Sequence, residues 1–291
     1  MPSTRDIRRR IKSVKNTAQI TKAMQMVAAS KMRKAQMAAL AGRPYANLMN
    51  EVLSALVSGN KEFSHPLLEK REGKRRCVII VSTDKGLCGG LNSSLMREAA
   101  KFPMDTEFVT AGRKASQFIA RTKRALVAEF TYKDVPSFAE ARAISKFAQD
   151  LFIKGEVDQV DILFTNFVST LVQKPEIRQL LPIGEIKPVH AGVGTHAGQP
   201  EEQSSTGEFV FEPSQDQVLG ALLPHSMNFQ VYQILLEAKA SEHSARMVAM
   251  KNATDNAKQF IKDLTLEYNK LRQANITKEL LEITSAAMAM A

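Results

Sequence analysis

Residues 6–36 read DIRRRIKSVKNTAQITKAMQMVAASKMRKAQ. Apolar or small residues fall at Ile7, Ile11, Val14, Ala18 and Thr21, in alternating steps of four and three. That spacing is the seam of a helix lying along another helix. Ala28, Ala35, Ala39, Met49, Val52 and Leu56 roughly continue it, so a shaft helix is expected over 1–57. Residues 3–41 contain neither Gly nor Pro; Gly42 and Pro44 follow, and are expected to weaken or kink the helix. Ser3 or Thr4 is a candidate cap, with Asp6 in the first turn.

The other end of the chain repeats the pattern. Residues 225–291, a run of 67, also lack Gly and Pro. Met227, Val231, Ile234, Ala238, Ala245 and Val248 step by sevens, threes and fours, and Ala253, Ala257, Phe260, Leu264, Tyr268 and Leu271 follow. A helix of that length spans ~100 Å, which no compact domain of this size buries end to end. The natural mate is the N-terminal helix, so the expected shaft is a long antiparallel coiled coil of 1–57 with 215–291. With Leu53–Val57 opposite Gln215–Leu219, equal helix rises put Ser3 near roughly position 269 and leave 270–291 beyond the coil as a single helix.

The middle of the chain has a different texture. The stretch 58–214 holds 12 of the 14 Gly and 8 of the 11 Pro. Cys77-Val78-Ile79-Ile80-Val81 is a short continuous apolar run, the mark of a strand buried on both faces. Strand candidates recur at 107–110, 126–130 and 159–168, with helical stretches at 91–102, 113–122 and 137–154 between them. Alternation of this kind predicts a small Rossmann-like α/β domain with a largely parallel sheet over 75–185. Residues 172–183 read as a further extended segment, and 186–207, rich in Gly, Pro, His, Ser and Glu, as a flexible loop.

The formal net charge is +10, and it is unevenly placed. Residues 1–34 hold ten basic side chains against the single acid Asp6; the remainder is nearly balanced. The positive field therefore belongs to one segment, which is expected to meet an acidic partner: nucleic acid, an anionic membrane or an acidic protein surface. No apolar run approaches the ~20 residues of a membrane helix. Two cysteines, Cys77 and Cys88, form no C-x-x-C pair and point to a reducing compartment. Five scattered His make no metal site.

Ser82–Asn92 reads STDKGLCGGLN, between an expected strand and an expected helix, where α/β folds often hold phosphate. It is not G-x-G-x-x-G, and the chain contains no G-x-x-x-x-G-K-[ST]. Its glycines are read as serving a tight turn. HAGVGTHAG (190–198) has neither a strand before it nor a helix after it, and takes no ligand. His243, Ser244 and Asp255 lie on one expected helix; twelve residues of helix is ~18 Å, too far for the Asp to orient the His. No catalytic residues, cofactor site or metal ligands are assigned.

Three blocks carry a family resemblance: the N-terminal 6–36, ASEHSARMVAMKNATDNA (240–257) and YNKLRQANITKELLEI (268–283). With STDKGLCGGLN they resemble, in order and over essentially the whole chain, the gamma subunit of F-type ATP synthases. The resemblance implies a non-catalytic rotor shaft inside a hexamer of alpha and beta subunits. Its α/β domain would sit beside the epsilon subunit against the membrane c-ring, and nucleotide chemistry would occur on the beta subunits. The chain would couple ion-driven c-ring rotation to ATP synthesis or hydrolysis, one copy per complex, without a cofactor and without inserting into the membrane. The basic N-terminal helix would face acidic beta-subunit loops. The family's coupling positions fall on Met24, Arg246, Gln273, Thr277 and Glu279, and its c-ring foot on Phe211 and Glu212. Neither the cysteine-bearing insert of chloroplast relatives nor a presequence is found, so a bacterial chain is expected, peripheral on the cytoplasmic face of the inner membrane. The rival readings are a basic coiled-coil nucleic-acid-binding protein, although the basic helix lacks interleaved aromatics, and a nucleotide-binding α/β enzyme.

Overall fold

A computed structural model of the chain describes residues 3–59, 65–71, 73, 75–183, 212 and 214–290; the loop expected at 186–207 lies outside them. Six α-helices are described: α1 (Thr4–Ala41), α2 (Arg43–Gly59), α3 (Leu91–Ala100), α4 (Arg113–Arg121), α5 (Phe138–Ile153) and α6 (Gln215–Met290). The strands are β1 (Arg76–Val81), β2 (Glu107–Ala111), β3 (Leu126–Phe130), β4 (Gln159–Phe167) and β5 (Gln173–Leu181). Two compact units emerge, residues 1–27 with 247–291, and residues 28–246.

The first unit is the helix pair. Ser3 caps α1: its hydroxyl accepts from the Asp6 N–H at 3.2 Å, while the Asp6 carboxylate accepts from the Ser3 N–H and hydroxyl. Ile7, Ile11, Val14, Ala18 and Thr21 are buried or half-buried, as their spacing predicts. On α6 the covered positions are Met250, Thr254, Ala257, Ile261, Leu264, Tyr268 and Leu271, an unbroken four–three repeat. This corrects the expected stripe at Phe260 and adds Thr254 beside the half-buried Ala253. Phe260 is 51% exposed, and Ile261 takes its seam position; Thr254 is buried beside the expected Ala253. A polar Thr in the true seam made the stripe one residue away look the more apolar.

Two cross-helix contacts show the direction. Thr21 Oγ1 lies 2.7 Å from Thr254 Oγ1, and Arg8 donates to the Tyr268 hydroxyl at 2.5 Å. Rising residue number on α1 meets falling number on α6, so the pair is antiparallel. Equal rises from the Thr pair put Ser3 beside roughly position 272, about one turn beyond the expected one. Every described residue from Arg272 to Met290 is exposed.

The second unit is built on a five-stranded sheet of order β3-β2-β1-β4-β5. β1 is central and parallel to β2 and β4, β2 is parallel to β3, and β5 runs antiparallel on the far edge. One face packs Val78, Ile80, Phe108 and Leu163 against α3 and α4. The other packs Ile79, Val109, Ile162 and Phe164 against α5 and α6. Met227, Val231, Ile234 and Ala238 belong to that second core, so this stripe of α6 faces the sheet and not α1. Leu236 and Ala240 instead meet Ala35 and Ala39 of α1. A helix apolar on both sides is covered on both sides.

α1 and α2 are separated at Gly42, where the expected kink falls. A Cβ there would stand 2.0 Å from Gln233 Nε2, the end of a flexible side chain that would have to shift to admit it. Pro44, the second residue of α2, lacks an N–H in the first turn, where a helix tolerates proline.

Candidate functional site

The N-terminal helix displays its charge. Arg5, Arg9, Arg10, Lys12, Lys15 and Lys22 are all exposed. The sole acid of this segment, Asp6, is occupied by its capping bonds to Ser3, which hold its carboxyl below the usual range. The segment therefore presents an almost purely cationic surface.

Of the residues singled out by the resemblance, Met24 is half-buried on α1, while Gln273, Thr277 and Glu279 are exposed on α6. The Thr277 hydroxyl donates to the Gln273 carbonyl at 3.0 Å, a bond internal to the helix. Equal rises from Thr21–Thr254 place Met24 beside roughly residue 251, so Gln273 stands ~33 Å further along α6. The fold thus distributes these positions along the shaft and does not gather them into one pocket. Glu212 is exposed just before α6; Phe211 lies outside the described residues.

Arg246 sits in a buried polar cluster of the second unit. Its guanidinium donates to Glu242 at 2.7 Å and to the carbonyls of Gly86 and Lys85 at 3.3 and 3.4 Å. Glu242 also accepts from Lys239 at 3.0 Å. Lys239 lies 4.5 Å from the centre of the Tyr132 ring and 4.0 Å from Asp134, which is itself paired with Lys31 of α1. That Lys31 bond holds the Asp134 carboxyl below its usual range. Burial pushes the Tyr132 phenol well up, and its hydroxyl donates to the Ser82 carbonyl. Burial pushes His243 down to about 4, which keeps its ring neutral beside two cations. His243, Ser244 and Asp255 do not form a relay: His243 meets Arg246, Ser244 donates to the Thr170 carbonyl, and Asp255 pairs with Lys258.

The 82–92 loop satisfies most of its own polar groups. Thr83 donates to the Lys85 carbonyl and accepts from the Asn92 amide, both at 2.8 Å, and Asn92 also reaches the Cys88 sulfur. Leu87 and Gly89 both take positive φ, 63° and 60°, to make the turn. Burial raises the Cys88 thiol. The turn was expected to rest on its glycines; of the three, only Gly89 takes a positive φ, and Leu87 supplies the other. Sequence reasoning missed Tyr132, Asp134, Lys239 and Glu242. The one available signal was a Lys and two Glu inside the largely apolar and small stretch 231–245.

An antiparallel pair of long terminal helices and a five-stranded α/β unit define the class of fold. Comparison with known proteins sharpens that class. The family model described as ATP synthase matches residues 3–290. An ATP synthase gamma chain from Opitutus terrae is 52% identical over the full length of both chains. That of Methylacidiphilum infernorum is 46% identical, again over the full length of both. The chain belongs to the ATP synthase gamma chain family, the non-catalytic rotor subunit of the central stalk. Among solved structures, the fold resembles a rotor chain of Euglena gracilis mitochondrial ATP synthase, with a TM-score of 0.67 at 19% identity, covering 94% of this chain and 98% of that one. It also resembles a central stalk/c-ring chain of the Tetrahymena thermophila enzyme, with a TM-score of 0.59 at 26% identity, covering 80% and 99%.

Proposed function

We propose that this chain turns inside a hexamer of alpha and beta subunits, with its α/β domain beside the epsilon subunit and against the membrane c-ring. It makes no chemical step itself. A turning asymmetric surface makes different contacts with each conformation of a beta subunit, and differential contact is what shifts a conformational equilibrium. The observation that carries this reading is the exposed helix end from Arg272 to Met290, which bears Leu280, Leu281, Ile283, Met288 and Met290 open to solvent. An apolar surface of that length calls for a sleeve.

The cationic face of α1 supports a docking position against acidic beta-subunit loops. In this reading Met24 acts near those acidic loops, Arg246 and Gln273 contact beta-subunit loops, and Thr277 and Glu279 belong to the same upper contact region. Phe211 and Glu212 form the foot on the c-ring. Among the described residues no helix is long and apolar enough to cross a membrane, and we assign the chain a peripheral place on the cytoplasmic face of a bacterial inner membrane. Affinity purification of the tagged chain from its native cells tests the assembly. Recovery with alpha, beta and epsilon subunits, substoichiometric to alpha and beta, is expected; recovery with nucleic acid and without those subunits refutes it.

A further inference from the structure

The Glu242 carboxylate has two claimants. Its Oε1 accepts from Arg246 at 2.7 Å and its Oε2 from Lys239 at 3.0 Å. Lys239 and Glu242 side chains are 2% and 4% exposed, and Arg246 12%. Two cations share one carboxylate where water does little to screen them, and a buried charge left without a partner is strongly unfavourable. The second carboxylate is Asp134, on the loop after β3, which faces Lys239 and is also held by Lys31. Tyr132 adds a ring face to Lys239, and His243 adds no charge because its ring is neutral.

We propose that Asp134 is a positioning residue: by engaging Lys239 it keeps Glu242 available to Arg246, and through Arg246 it sets how firmly the 82–92 loop is held against α6. The chain of contacts runs from Lys31 on α1 through Asp134, Lys239, Glu242 and Arg246 to the carbonyls of Lys85 and Gly86. Without the Asp134 charge, Lys239 has Glu242 as its remaining anion and draws it away from Arg246. The Arg246 bonds to the loop, at 3.3 and 3.4 Å, are already long and are the first to be lost. Any service to coupling rests on the shaft reading above; the relay itself does not.

Cys88 reports on the loop, because it is 2% exposed within it, while Cys77 in β1 is 0% exposed and reports on unfolding of the sheet. The experiment labels the full-length isolated chain with a maleimide and locates the adduct by peptide mass spectrometry. Asp134 is half-exposed, so Asp134→Asn leaves the packing in place. We expect Cys88 labelling to accelerate severalfold with Cys77 unchanged. In a Lys239→Met background Glu242 belongs to Arg246 alone, and Asp134→Asn should then add nothing. Unchanged Cys88 labelling in Asp134→Asn overturns the relay. So does equal acceleration in both backgrounds, which would mean that Asp134 acts only through its own loop. In membranes reconstituted with the whole enzyme, Asp134→Asn should lower proton pumping per ATP hydrolysed. Faster labelling with unchanged pumping would leave the relay standing and overturn its part in coupling.

Discussion

His243 gives the stability of the chain a pH dependence that one substitution removes. Its ring is buried on α6 among Lys239, Glu242, Arg246 and Asp134, and burial is the main reason that its pKa falls from 6.5 to about 4. The unfolded chain therefore takes up this proton first as the pH falls. Stability from His243 is complete above the unfolded value, drains through the window between 6.5 and about 4, and is gone below it. Moving from pH 7 to pH 5 crosses most of that window and costs about 1–2 kcal/mol. The depressed carboxylates Asp134 and Glu140 lose stability in the same direction, but their ordinary values, 3.8 and 4.5, put that loss at lower pH. His65, also lowered by burial, contributes equally to parent and variant. The perturbation is His243→Gln, which keeps a polar side chain of similar size and cannot take a proton. Urea unfolding of both chains at pH 7 and pH 5 is the assay. The parent should lose about 1–2 kcal/mol more than the variant on acidification. An identical pH dependence in the two would refute the buried, neutral His243.

Three further perturbations test other parts of the structure. Gly112 takes φ +108°, and a Cβ there would stand 2.3 Å from the Ser82 carbonyl oxygen, so Gly112→Ala should cost about 2–4 kcal/mol in equilibrium unfolding; a smaller loss than ~1 kcal/mol would contradict the positive-φ backbone and close approach at this N-cap. Met24→Lys adds a charge to the shaft beside the proposed acidic loops and should stabilise one rotary position by ~1 kcal/mol or more; ATP hydrolysis should survive while ion pumping per ATP falls, and unchanged pumping in reconstituted membranes counts against that contact. Deleting Ser285–Ala291 should leave assembly and much of the hydrolysis intact, because small and flexible Ala and Met side chains slide without deep minima, whereas deletion back through Gln273 should cost far more; total loss on removing the last seven residues would overturn that division.

The helix pair was legible because Gly and Pro vanish from both ends of the chain and a four–three spacing survives in Ile7, Ile11, Val14 and Ala18. β1 was legible for the opposite reason, since Cys77–Val81 has no polar side at all. The direction of β5 was not, because QKPEIRQLL is polar and broken by Pro175, and nothing local tells an edge strand which way to run. The α6 seam slipped by one residue where Thr254 hid a buried position behind a hydroxyl. The ionic cluster was out of reach for a different reason. Lys239 and Glu242 have the spacing of an ordinary surface pair on a helix, and only the sheet brings Tyr132 and Asp134, more than a hundred residues earlier, over them. Burial of charge is a property of the fold, and local spacing does not record it.

As a rotor shaft, this chain should turn within its complex. A probe fixed to the α/β domain of the chain, in a hexamer immobilised through its beta subunits and supplied with ATP, reads that motion directly. Stepwise rotation in one direction, which stops when ATP is withdrawn, is the predicted result. A hexamer that hydrolyses ATP at its normal rate while the bound chain stays still would contradict it.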